Sequence, residues 1–441
     1  MRMKLKLSRQ ILAIIIACFF LMQAALAANV RIQNPPKELP LHLVKLQNEL
    51  IDDVEKIEEV IYQRGALYRD KEVENYLNKI AEKIAPDVPL DKKRKFSIKI
   101  IRDPAVNAFA LPNGSIYIHT GTLAKLENEA QLAFLMGHEM SHVVHRDSVY
   151  HVNSVHNKTI VYKLFDIALA PTSVFFGILG DLVQLGFGIL HVATVTGYSR
   201  EIEARADEDG ILWASEKGYH PRKAAVIMEI FLKEKEKYQT GPEVYFLMNH
   251  PSTERRLKKV NAIIREKYGK SPEGEIKEEE FLTTMSKVKV YNASLNIKMD
   301  RLEHAMENIE WVMTKFPHSP KAHYVAGEIH RLKSENKNRL EYELNAKNWR
   351  ELNKGRKKGE LEKIWREKAI EEYKTAITCD PVYADSYKGL GLLYYDMEDE
   401  ESAMANFNKY LEIEPDAVDK RYVTSFLKRI EADKKADEKH N

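Results

Sequence analysis

The stretch His138-Glu139-Met140-Ser141-His142 is an H-E-x-x-H pattern set in a run that reads as helix. On a helix, positions four apart lie on one face, so both imidazoles can reach a single metal ion. Glu139 follows the first histidine, where a carboxylate can take a proton from a water activated by that metal. With 15 His in 441 residues, chance supplies the pattern in roughly a few such chains per hundred. The rest of the chain must therefore provide a third ligand, a substrate track and a suitable compartment.

The N-terminus bears on the compartment. Arg2, Lys4, Lys6 and Arg9 precede an apolar run from Ile11 to Met22, and Ala25-Leu26-Ala27 offers small residues for cleavage. This layout predicts a secretory signal over residues 1–27, cut before Ala28 and placing the chain outside the cytoplasm. The alternative is an uncleaved membrane anchor, although the apolar run is short for a span. Loss of the leader removes four cations and takes the formal charge from +2 to −2. That balance gives no bulk attraction to nucleic acid. Cys379 would remain as a single cysteine, so no internal disulfide could brace an exported chain.

Residues 40–85 carry helical periodicity through Leu43, Leu46, Leu50, Val54, Ile57, Val60 and Ile61. Phe96 to Ile101 alternates as a strand does. Asn107-Ala108-Phe109-Ala110-Leu111 and Ser115 to His119 then flank the turn signal Pro112-Asn113-Gly114. Thr122 to Arg146 reads as one helix holding the metal motif. A small sheet beside that helix is an arrangement in which a peptide can lie as an added strand, with Asn107, Ala108, Phe109 and Ala110 as the substrate-binding residues. The alternative is that this hairpin only completes the core.

From Ile160 to Gly197 the chain is strongly apolar but interrupted by Asp166, Asp181, Gln184 and His191 and loosened by Gly177, Gly180, Gly186 and Gly188. No clean span results, which favours a helical hairpin near the site or in peripheral contact with a membrane over a transmembrane helix. A buried core pair is the other reading. Helix is expected again from Tyr198 to Lys217, ending at Gly218, then over Arg222 to Tyr238. Another runs to Lys267 with Ser252 as its cap. Gly269 to Gly274 reads as a linker. Beyond it, Tyr387, Leu390, Gly391, Tyr394, Ala403, Phe407 and Pro415 fall at the offsets of a tetratricopeptide unit. Ala369, Tyr373 and Pro381 repeat the second-helix places 34 residues earlier, and Ala305 and Pro317 hold the same relation further upstream. Between Lys333 and Trp365 the register breaks, as a degenerate unit or an insertion. The division expected is a leader (1–27), a peptidase domain (28–270), a repeat domain (271–435) and a polar tail (436–441).

A hydrolytic zinc needs three protein ligands and an open position. A third histidine in the metzincin pattern is excluded, because His145 and Ser148 stand where glycine and histidine are required. A carboxylate on a later helix is the remaining source. Glu203 fits best, and Asp207, one turn on, can accept the other ring N–H of a ligand histidine. His145 fits no ligand pattern. Arg200 and Arg205 are expected to pair with nearby carboxylates.

His138 to His142, Glu203-Ala204-Arg205-Ala206-Asp207 preceded by Ser199-Arg200, and Asn107 to Gly114 together resemble the HtpX-type gluzincin metallopeptidases, which include the prenyl-protein endopeptidases. The resemblance covers roughly residues 40–268. It implies a mainly α zincin-like protease domain with a small β-sheet (α+β), followed here by an all-α repeat solenoid. By position it also implies one Zn²⁺ bound by His138, His142 and Glu203, with Glu139 as general base. His250, in a His-Pro element, would stabilise the oxyanion or enter the open metal position as a brake, or else act only as a turn residue. An exported form with C-terminal repeats resembles the family's periplasmic branch in Gram-negative bacteria. That implies cleavage of unfolded or misassembled envelope proteins, outer-membrane ones among them, and a link to outer-membrane assembly machinery through the repeats. Two other classes remain: a chaperone or assembly adaptor in which proteolysis is rare, and a membrane-embedded peptidase, which the lack of clean spans disfavours.

Overall fold

The computed structural model describes residues 39–87, 90, 94–154, 198–237, 253–270, 272–335 and 358–440. The expected leader, the apolar stretch from 160 to 197 and His250 lie outside the described residues. Two compact units divide the chain, Met1–Val288 and Lys289–Asn441.

The first unit opens with α1 (Leu41–Gln63) and α2 (Lys71–Ile84). The helical periodicity read over 40–85 is thus divided between two helices. Gly65 takes a φ of +63° and Leu67 makes a bridge to Ile101, drawing the chain toward the sheet. Asp70 then caps α2 by accepting from the amides of Glu72 and Val73. Three strands follow, β1 (Ser97–Ile101), β2 (Ala108–Ala110) and β3 (Ser115–His119), in the order β1-β3-β2. β1 runs parallel to β3, with Ile98 opposite Ile116; β2 runs antiparallel, with Phe109 opposite Tyr117. The hairpin turn is closed at Gly114, where φ is +93° and a Cβ would meet the Lys95 carbonyl at 2.6 Å. Phe109, Leu111 and Tyr117 turn one face of this sheet into a core with Val54, Ile61, Ala66 and Ile101.

A short α3 (Thr120–Lys125) precedes α4 (Glu129–Val144), so the expected helix from Thr122 is also interrupted. Asn128 causes the break: extended, it accepts from the amide of Gln131 and restarts the helix. An Asn-x-x-Gln start before an apolar run was the sequence signal for it. After Val144 come α5 (Asp147–Ser154), α6 (Arg200–Glu216), α7 (Lys223–Lys237) and α8 (Thr253–Tyr268). The linker expected over 269–274 runs into a firmly held segment. Glu275 bridges Tyr219, and the carbonyls of Ile276 and Lys277 accept from the amides of Ala130 and Glu129 at the start of α4. No described helix is long and apolar enough to cross a membrane.

α9 (Glu278–Lys298) leads to the second unit, which continues as α10 (Leu302–Lys315), α11 (Pro320–Glu335), α12 (Lys358–Cys379), α13 (Ala384–Asp396), α14 (Glu400–Ile413) and α15 (Lys420–His440). The repeat positions read from the sequence are where these helices meet. The fully buried Tyr373 ring fills the space that side chains at Gly327 and Gly389 would take, and Phe407 does the same at Gly391. α11 and α12 pack as one helical pair despite the 22 residues between them, joined by His323 to Glu372 at 2.7 Å.

Candidate metal centre

The site begins with the contact between α4 and α6. Gly137 lies immediately before the first histidine, and a Cβ there would stand 3.0 Å from the Gly210 Cα. A Cβ at Gly210 would be 2.9 Å from both the His138 amide nitrogen and the Phe134 carbonyl. Only two glycines let the backbones come this close. Asp209 adds a polar tie, taking the Ser141 hydroxyl at 2.7 Å and contacting His145 Nε2 at 2.9 Å. His145 therefore braces the two helices, as a structural residue. Ser199 starts α6 by accepting from Ile202, which places Glu203 in the first turn, facing α4.

His138, His142 and Glu203 each offer one atom to a common centre, all within 4.8 Å of one another, and all three are buried. The two Nε2 atoms are 3.3 Å apart. Glu203 oxygens lie 3.7 Å from His138 Nε2 and 3.8 Å from His142 Nε2. Two nitrogens about 2.0–2.1 Å from one tetrahedral zinc would be separated by about 3.4 Å. The donor set fits that ion. Lone pairs of two imidazoles and a carboxylate, facing each other out of water, need a cation to offset their mutual repulsion.

Each ring is held from behind. His142 Nδ1 hydrogen-bonds Asp147 Oδ2 at 2.8 Å. His138 Nδ1 lies 3.0 Å from Asp207 Oδ1, the position expected of Asp207. Burial disfavours the charged form of both rings. It prevails at His138, whose pKa falls below its ordinary value, whereas Asp147 outweighs it and raises that of His142. Both Asp207 and Glu203 are held by Arg256 of α8. Its guanidinium reaches Asp207 at 2.6 and 2.9 Å and Glu203 at 2.8 Å. Burial would raise the Asp207 pKa, but this cation keeps it below its ordinary value. Neither Arg256 nor Asp147 stands out in the sequence: the first lies six residues after His250, and the second five beyond His142, a spacing no helix face would pair.

Glu139 is buried on α4 beside His138, close enough to add to the charge felt by His142 and Arg256. The four residues expected to bind substrate are placed as follows. Asn107, Ala108 and Phe109 are buried, with Phe109 stacked on Tyr117, and Ala110 is half-buried. Phe109 joins the core beside Tyr117, whereas the buried side-chain amide of Asn107 has no hydrogen-bond partner among the described residues. In the backbone of this stretch, Asn107 accepts from His119, and Leu111 donates to Ser115. The amides of Ala108 and Ala110 therefore turn away from β3, at the edge of the sheet.

Residues 70–264 match the model of peptidase family M48, and residues 366–398 match that of the TPR repeat. Among curated proteins, the mitochondrial metalloendopeptidase OMA1 of Schizosaccharomyces pombe is 28% identical over 185 residues, or 42% of this chain and 49% of that protein. The Arabidopsis thaliana OMA1 protein is 29% identical over 165 residues, 37% and 30% of the two chains. The beta-barrel assembly-enhancing protease of Escherichia coli K12 is 26% identical over 197 residues, 43% and 39%. The matched stretches span half or less of each relative's length.

Proposed function

We propose that the protein, whose residues 70–264 match the model of peptidase family M48, is a zinc-dependent endopeptidase of the periplasm. Its substrates would be unfolded or misassembled envelope proteins, outer-membrane ones among them. The observation that carries this reading is the buried convergence of His138, His142 and Glu203 beside Glu139. When bound, the ion would polarise a peptide carbonyl and acidify a water. His138 and His142 would hold it through Nε2, and Glu203 through its carboxylate. Glu139 takes the proton of the attacking water and passes it to the leaving amine. At the sheet edge the half-buried Ala110 offers a backbone amide and carbonyl to which an extended substrate can add as a strand, so recognition would favour unfolded chain over particular side chains.

The leader-like segment from Arg2 to Ala27 supports export. The repeats support a role in bringing substrate, or outer-membrane assembly machinery, to the site, since stacked helix pairs present a surface for partner proteins. The E. coli relative's name points to beta-barrel assembly, in keeping with that choice of substrate. The test is digestion of an unfolded outer-membrane β-barrel protein by the full chain, before and after chelation. Cleavage should stop on metal removal and return with one equivalent of zinc. Continued cleavage by metal-free protein would rule the proposal out.

A further inference from the structure

The metal reading of the site carries a consequence for two residues outside the expected ligand set. Asp147 is fully buried, and Arg205 lays one terminal nitrogen across both of its oxygens, at 2.5 and 2.6 Å. The Oδ2 atom of that carboxylate is the one that accepts from His142 Nδ1 at 2.8 Å. A bend makes this possible: Arg146 takes a φ of +56°, ending the run of α4 and turning the next residue back toward the ring. On the other side, the Tyr198 ring stacks on His142 with centroids 4.2 Å apart and planes 22° from parallel. Arg205 itself lies on α6 between Glu203 and Asp207. One helix thus brings the third ligand, the carboxylate facing His138, and the cation that fixes the carboxylate facing His142.

We infer that Asp147, fixed by Arg205, is a positioning residue that sets the tautomer and ring rotation of His142 toward the metal. A proton held on Nδ1 by Asp147 leaves the Nε2 lone pair directed at the metal position. A carboxylate this deeply buried is costly without a cation, and Arg205 removes that cost while locking its orientation.

The test uses the full-length protein, zinc titrated against a chromophoric chelator, and the absorption spectrum of the Co²⁺-substituted form. Asp147→Ala should weaken zinc binding by about 10- to 100-fold and shift the cobalt bands. Asp147→Asn, whose amide oxygen still accepts the bond, should fall between that variant and the parent. Arg205→Gln should also weaken zinc. Combined with Asp147→Ala it should cost nothing further, because Arg205 acts through Asp147. A parent that binds one zinc, with an Asp147→Ala variant equal to it in affinity and cobalt spectrum, overturns the inference alone. So does a variant that melts lower but keeps both readouts. A parent that takes up no stoichiometric zinc overturns the metal reading, and the inference with it.

Discussion

Arg256 is the residue whose loss should be felt most widely. It is 7% exposed and neutralises two buried carboxylates, Glu203 and Asp207, at 2.6 to 2.9 Å. Arg256→Gln leaves both charges without that partner, so about 3–5 kcal/mol of stability should be lost, with zinc affinity weakened about 10- to 100-fold. Arg256→Lys keeps the charge but not the fork, and should recover only part of each. Melting curves and chelator competition on the two variants check this, and an unchanged affinity in Arg256→Gln would remove it from the site. His138, Glu139 and His142 were legible because the H-E-x-x-H pattern states their geometry, and Glu203 because it opens the Glu203–Asp207 element that carries the resemblance. Arg256 and Asp147 were not, because what makes them matter is the fold that returns α8, and the bend at Arg146, to the same few cubic ångströms.

The helices show what periodicity can and cannot read. Apolar spacing found the helical stretches over 40–85 and 122–146, but not that Gly65 and Asn128 interrupt them. Those interruptions depend on one residue's backbone preference, which a period averages away. The repeat helices were easier, since Tyr373, Gly391 and Phe407 stand at fixed repeat offsets in the sequence, and the Phe407 ring packs where a side chain at Gly391 would stand. α11 carries two histidines with opposite pH behaviour. His330, stacked on Trp365 and near Lys333 and Lys368, is pushed down by burial and those charges to about 3. Its unfolded value is near 6.5, so the unfolded chain takes the proton first and stability falls as pH drops from about 6.5 toward 3, by on the order of 3 kcal/mol. His323 is raised by its bond to Glu372, so its contribution is present below about 6.5 and fades as pH rises through the folded value. His330→Phe keeps the stack without the titration. Thermal melts of the full chain should show its acid-side loss shrinking, while a loss equal to the parent's would assign acid sensitivity elsewhere.

For the molecule as a whole, the segment after Gly274 sets where the peptidase unit ends in practice. Chains stopped at Gly274 would lose the Ile276 and Lys277 carbonyls that satisfy the first amides of α4. Compared with chains stopped at Val288, they should melt lower by several degrees and bind zinc less tightly. Equal melting and affinity would show that this strap does not support the metal helix. If the repeats deliver substrate, the Val288 form should still cut short peptides while processing large unfolded proteins poorly. The most direct measurement compares the parent with Glu139→Gln on an unfolded outer-membrane protein, with zinc content determined in the same samples. Removing the general base while keeping all three ligands should leave about one zinc per chain and slow cleavage about 10²- to 10⁴-fold. Equal cleavage by two equally zinc-loaded proteins would contradict peptide hydrolysis at this site.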